Sequence, residues 1–329
     1  LKIIMLAYLI RRVGQALLVI AAMATIVFVS IYAVGNPVDI LANPNADAKE
    51  MAEISARLGL DKPLWEQFGL FVWNALHGDL GRSFVFNEPA LKLIIQRMPA
   101  TLELAFVALV MSIFIGIPLG VWAGLKPDAW SSRAIMSGSI LGFSLPNFWI
   151  GLMLILLFAV QLKWLPSGGR GPTTDLFGIP VSFLSWEGLR YLLLPAFTLA
   201  LYKAALVVRL SRSGTREAVL QDYVRFARAK GLSPTRIVLV HVLKNIMIPI
   251  VTILGLELGS MIAFAVVTET VFAYPGMGKL LIDSIGRLDR PVIVAYLMMV
   301  VVIFVVINLI VDLLYAALDP RVRLQESEG

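Results

Sequence analysis

Four stretches of this chain run for more than twenty residues without a charged side chain: Val13 to Val38, Leu104 to Leu125, Ala134 to Leu162 and Pro291 to Val311. A helix crosses a bilayer core with about 20 apolar residues, because each residue rises about 1.5 Å and no backbone group can go unpaired in lipid. Two weaker stretches complete the set, Tyr191 to Val208 with Lys203 inside it and Met247 to Phe272 with Glu257 and Glu269. Six membrane helices are therefore expected. Composition agrees, with 59% hydrophobic and 15% charged residues among 329 and a mean hydropathy of +0.84. A soluble domain carries roughly 45 to 50% and about 25%.

The chain divides into an N-terminal stretch 1–12, spans at 13–36, 101–125, 134–162, 191–210, 247–272 and 291–315, connecting segments 37–100, 163–190, 211–246 and 273–290, and a tail 316–329. The first run reads as a retained anchor, since it ends in Gly35, Asn36 and Pro37 without an Ala-x-Ala-like cleavage site. Met5, ahead of Arg11 and Arg12, is a more natural start than Leu1, so Leu1 to Ile4 are set aside. Cations decide the orientation. Arg11 and Arg12, Lys126 and Arg133, and Arg321 and Arg323 fall on one side of the bundle. The same side holds Arg209, Arg212, Arg216, Arg225, Arg228, Lys230, Arg236 and Lys244, against Glu217 and Asp222. That side is cytoplasmic by the positive-inside rule, and both termini with it. The segment from Asp39 to Arg97 lies outside, with six cations and eight anions. Its residues Leu64, Trp65, Phe68, Phe71, Val72, Trp73 and Leu76 recur at helical spacing, as a folded helix or as one lying at the membrane interface.

A net charge of +6 placed in this way answers to the bilayer and gives no sign of nucleic acid. The absence of cysteine excludes disulfides, thiol catalysis and Cys-based metal sites. Gly276-Met277-Gly278-Lys279 lacks the earlier Gly of a phosphate-binding loop and the Ser or Thr after Lys, and reads as a turn after span five. His77 and His241 fall on opposite sides and share no metal or triad. Charges within spans are the remaining candidates. Glu257 is a pathway-lining candidate or a polar contact between helices, whereas Glu269, Asp312 and Lys203 lie near enough to an interface to snorkel or cap. Gly116, Gly120 and Gly124, Gly138 and Gly142, and Gly255 and Gly259 recur at four-residue spacing and point to close helix packing.

The segment from Arg209 to Pro249 carries most information. Glu217 to Lys230 is predicted as one helix with Val219, Tyr223, Phe226 and Ala227 on one face and Gln221, Arg225 and Arg228 on another. Gly231 ends it in a left-handed cap, and Ser233-Pro234 starts a second helix that runs into span five. The product is an elbow with an aromatic and basic surface; the other reading of such a helix is one lying on anionic lipid.

Asp222-Tyr223-Val224-Arg225-Phe226-Ala227-Arg228-Ala229-Lys230-Gly231-Leu232, with His241 to Asn245 and Ile248-Pro249, resembles the EAA loop of bacterial ABC importer permeases in the form used by the dipeptide, oligopeptide and nickel group. Tyr8 to Arg12, Gly78 to Ser83, Arg97 to Leu104, Ser144 to Phe148, Glu269 to Phe272, Pro275 to Gly278, Asp312 to Tyr315 and Asp319 to Arg321 look like that group too. The resemblance implies an all-α membrane protein of the type I importer permease fold. It implies that two permeases pair, that the elbow of each docks on a cytoplasmic ATPase, and that an extracytoplasmic binding protein delivers a di- or oligopeptide or similar small solute. Carried over, Tyr223, Arg225, Phe226, Ala227, Arg228 and Gly231 are the docking residues. Arg225 stands where the motif has its namesake glutamate, and Lys244 where many importers have proline. ATP and Mg belong to the partner subunits, which leaves no cofactor, metal or catalytic residue in this chain. The competing reading is an ion-coupled carrier in which Glu257 binds a proton or sodium.

Overall fold

The computed structural model describes residues 2–33, 49, 51, 55–56 and 61–318. Most of the segment 37–60, and Asp319, Pro320, Arg321 and Arg323 of the tail, lie outside the described residues. Two compact units divide the chain, one of 1–98 with 280–309 and the other of 99–279 with 310–329.

The first unit holds α1 (Lys2–Ala33) and α2 (Leu64–Leu76) and most of the last helix, α11 (Arg290–Leu318). Ala24 and Val27 of α1 and Val294 and Met298 of α11 share a core, with Phe71 and Leu80 packed against it. Phe68 meets Phe28 edge-on at 5.2 Å between centroids. Trp65, Trp73 and Leu76 on the rest of α2 stay exposed, so one aromatic edge packs while the other is left uncovered. Buried Asp289 organises the loop after α2. It accepts the Ser83 hydroxyl and the Phe84 backbone N–H at 3.0 Å.

The second unit contains most of α3 (Ala90–Leu125), then α4 (Trp130–Ser144), α5 (Asn147–Leu154), α6 (Trp186–Leu220), α7 (Asp222–Ala229), α8 (Pro234–Arg236) and α9 (Leu243–Val271). A further helix, α10 (Met277–Gly286), follows a turn after α9. Wider π-helical turns, Ile155–Gln161 after α5 and Ile237–Val242 between α8 and α9, extend two of these without a break. Among the described residues, five helices are long and apolar enough to cross a membrane, and a sixth crossing results if α4 and α5 form one bent span.

The structure departs from the sequence reading in three places. The run from Ala134 to Leu162, expected as one span, is two helices bent by 106°. Leu145 is extended at φ −81, ψ 136 because the ring of Pro146 clashes with an α-helical conformation in the residue before it. The all-α fold class stands, with one local addition that the sequence reading did not give, a short antiparallel hairpin, Thr174–Leu176 (β1) with Ile179–Val181 (β2). Its tip residues Phe177 and Gly178 both have positive φ, the turn that suits strand twist. The helix expected from Glu217 to Lys230 breaks at Gln221, which is extended at φ −71, ψ 150. Ala218 on one side of the break and Val224 on the other both enter the core. In an unbroken helix they would point about 120° apart, so the break is what lets both be buried.

The core of the second unit joins Val121, Val207, Ala218, Val224, Ala227, Ile237, Val242, Ile246, Ile250 and Leu254. Gly116, Gly120 and Gly124 press on α6 in register. A Cβ at Gly116 would stand 2.5 Å from Val207 Cβ, one at Gly120 2.5 Å from the Val208 carbonyl oxygen, and one at Gly124 2.7 Å from Thr215 Cβ. The four-residue repeat is therefore a backbone-to-backbone contact surface.

Candidate functional site

The elbow is built by its caps. The Gly231 N–H donates to the Arg228 carbonyl at 2.9 Å and the Leu232 N–H to the Ala227 carbonyl at 3.2 Å, the two bonds of a Schellman motif. Gly231 has φ +77, a conformation that costs a residue with a Cβ about 1 kcal/mol or more. Leu232 packs on the core just beyond the cap. Ser233 Oγ then accepts the Arg236 N–H at 3.4 Å, and Pro234 takes the first helical position. Asp222 lies in the first turn of α7 and Arg228 in its last, each at the end of the helix dipole that favours its charge.

Val224 and Ala227 hold α7 to the body of the protein, buried at 0% and 3% exposure. Phe226, at 62%, and Tyr223, at 38%, face out, as do Arg225, Arg228 and Gly231. Ala227 thus departs from the docking set expected of it, because its methyl group is part of the chain's own core. Val224 was missed by the sequence reading, although its i, i+3 spacing to Ala227 marks a second apolar edge. Lys230 Nζ sits 4.6 Å from the Phe226 ring centroid, so the exposed ring has a cationic lid. The Arg225–Asp222 pair at 3.5 Å joins two exposed side chains and contributes little stability. Burial, and next the nearby Glu217 carboxylate, push the Tyr223 phenol above its ordinary pKa, which keeps it a neutral hydrogen-bonding group.

Within the membrane region the structure joins two residues that the sequence reading treated separately. Lys203 of α6 and Glu257 of α9 form a direct ion pair. Ser260 Oγ accepts from Lys203 Nζ at 2.9 Å and lies 2.7 Å from Glu257 Oε2. Lys203, expected to snorkel or cap, is instead 6% exposed. The pair lines a cavity of about 430 Å³ together with Asn147 and Tyr202.

Two more carboxylates organise the far end of α6 and α9, away from the elbow. Glu269, fully buried, accepts the Thr101 hydroxyl at 2.6 Å and the Lys279 N–H at 2.9 Å. Thr101 Oγ1 in turn accepts the Met277 N–H at 2.8 Å. Glu269 is therefore a cap for α10, and a Cβ on Gly276 would collide with its carboxylate. Glu103 accepts from Ser182 N at 2.5 Å, Phe183 N at 2.8 Å and Arg170 Nη2 at 2.6 Å, and Tyr274 Oη lies 3.3 Å away. Burial, and then the Glu103 charge, push the Tyr274 phenol up, so it stays protonated as a donor to Glu103. The sequence reading gave Glu103 no role. The available signal was a carboxylate flanked by Leu102 and Leu104 at the start of a span.

Residues 116–324 match the family described as "Binding-protein-dependent transport system inner membrane component", and residues 5–105 match its N-terminal counterpart. The dipeptide transport system permease protein DppB of Escherichia coli K12 is 36% identical over 336 residues, covering 97% of this chain and 99% of its own length. The di/tripeptide transport system permease protein DppB of Pseudomonas aeruginosa UCBPP-PA14 is 38% identical over 335 residues, covering 98% and 100%. Among solved structures, the inward-facing MetNI methionine ABC transporter superposes with a TM-score of 0.56 at 18% identity, over 70% of this chain and 99% of that one. None of these likenesses supports the ion-coupled carrier. Apolar spans, the elbow and whole-length similarity converge, and the chain belongs to the family of binding-protein-dependent transport system inner membrane components, as a multi-pass inner-membrane permease subunit of an ABC importer.

Proposed function

We propose that this permease imports short peptides as half of a permease pair, and that α7 is the element through which ATP hydrolysis reaches it. The observation that carries the reading is the division of α7 into a buried edge, Val224 and Ala227, and an exposed one bearing Tyr223, Arg225, Phe226 and Arg228. An exposed aromatic ring beneath Lys230, with exposed Arg225 and Arg228 on the same short helix, has the makeup of a binding hot spot. The partners are a second homologous permease, two cytoplasmic ATPases that bind ATP and Mg, and an extracytoplasmic binding protein. Both termini and the elbow lie on the cytoplasmic side, in keeping with the cations around them. Peptides are the substrate because the relatives named for a transported solute carry dipeptides or di/tripeptides. Glu257 lines the pathway.

Co-purification from the native membrane tests this directly. The wild-type chain should return with a second permease and two ATPases, and its ATP hydrolysis should rise when loaded binding protein is added. Phe226→Ala should weaken ATPase recovery at least tenfold. Gly231→Pro cannot adopt φ +77, since proline fixes φ near −65°, and should lose the ATPases altogether while the chain remains in the membrane. A lone chain that moves peptide in ATP-free proteoliposomes under an ion gradient would refute the reading.

A further inference from the structure

The Lys203–Glu257 pair is an uneconomical way to join two helices. Charges within a membrane span are costly, and well-packed apolar residues join buried surfaces at least as well as an ion pair does. The pair is also not sealed. Lys203 is at the middle of the 35-residue α6, its side chain is 8% exposed and that of Glu257 is 29% exposed, and both face a cavity of about 430 Å³. Cavities of about 300 to 1,000 Å³ are the size that holds small ligands. Asn147 adds an amide and Ser260 a hydroxyl to its wall, while Tyr202 and Phe264 supply apolar surface.

We infer that Lys203 and Glu257 are a binding site for the two ends of a zwitterion, the class of short peptide with a free ammonium and a free carboxylate. This rests on the peptide reading above and adds the site and the chemistry of recognition. The substrate carboxylate takes the place of Glu257 on Lys203, and the substrate ammonium takes the place of Lys203 on Glu257. One ion pair opens and two form, so no charge stands alone in the low-dielectric interior at either stage and the occupied site stays neutral. The empty site is satisfied by its own pair, with Ser260 holding both partners. Asn147 and Ser260 suit a peptide bond, common to every such substrate. Tyr202 accepts side chains by apolar contact, without regard to identity.

The test uses the complete transporter in proteoliposomes with ATP, its binding protein and radiolabelled alanyl-alanine. The neutral double variant Lys203→Met/Glu257→Gln should still co-purify with its partner subunits and move the dipeptide at least tenfold more slowly than wild type. A pair that serves only to join helices predicts the opposite, because removing both partners leaves no orphaned charge; dipeptide uptake at the wild-type rate in the double variant overturns the inference alone. A wild-type complex that hydrolyses ATP but moves no dipeptide overturns the peptide reading and the inference with it. A second measurement avoids altering the pair. The chain has no cysteine, so Phe264→Cys places a single thiol on the cavity wall, and its maleimide labelling on this chain reports occupancy. Alanyl-alanine at millimolar concentration should slow labelling at least fivefold and its N-acetyl, C-amide form should not; equal rates with and without either peptide overturn the inference.

Discussion

Gly120→Leu is expected to abolish accumulation of folded chain in the membrane, with a loss of at least about 3 kcal/mol, beyond the usual cost of overpacking because the obstacle is main chain. The ideal Cβ at this position stands 2.5 Å from the Val208 carbonyl oxygen and 2.5 Å from Ser211 Cβ. A flexible side chain could swing aside, but a carbonyl in mid-helix moves only with its helix. Separating α3 from α6 would then open the contacts at Gly116 and Gly124 on the same edge. Gly138→Ala is the matched control, since nothing stands within 4 Å of its Cβ, and it should leave stability unchanged within about 0.5 kcal/mol. Fluorescence-detected size exclusion after a heating series measures both. Equal melting of the two variants would mean that α3 and α6 do not touch through their glycines.

Glu269→Ala should cost about 3 kcal/mol or more in the same assay. It withdraws the acceptor from the Thr101 hydroxyl and the Lys279 N–H, both now satisfied in a buried place, and each buried donor left alone costs about 1 to 3 kcal/mol. Glu269→Gln keeps the shape. Its amide oxygen can still accept the Lys279 N–H and its NH2 can donate to Thr101 Oγ1, so a loss near 1 kcal/mol is expected. The gap between the two variants is the informative quantity. Losses of equal size would show that the negative charge matters rather than the hydrogen-bonding sites.

These sites mark how far a sequence can be read. The apolar runs are legible because one requirement, no unpaired charge or backbone group in lipid, leaves a mark at every position they occupy. The glycine repeat is legible for a related reason, since a four-residue period falls on one helix edge. Pro146 was equally visible, yet the unbroken apolar composition from Ala134 to Leu162 outweighed it, and the 106° bend was missed. Hydropathy measures affinity for lipid and says nothing of direction. In the elbow, the caps at Gly231 and Ser233 follow from local chemistry, whereas the break at Gln221 does not, because it is set by which side chains the core of α3, α6 and α9 can admit. The joining of Lys203 to Glu257, 54 positions apart, and of Glu103 to Ser182, 79 apart, depends on which helix edges face each other. A single sequence carries no signal of that.

From Pro234 to Val271 the chain contains no loop: α8, the π-helical turns and α9 follow one another without a gap. At about 1.5 Å per residue, this stretch is a strut of roughly 57 Å. Its lower end is pinned to α7 by the Schellman cap and its upper end to α10 through Glu269. A push on the exposed face of α7 therefore has no slack in which to dissipate, and the softest point along the strut is Pro249, where one backbone bond is missing. On the docking role proposed for α7, thrust received there passes along this single member, and its stiffness sets how much of the stroke reaches Glu269.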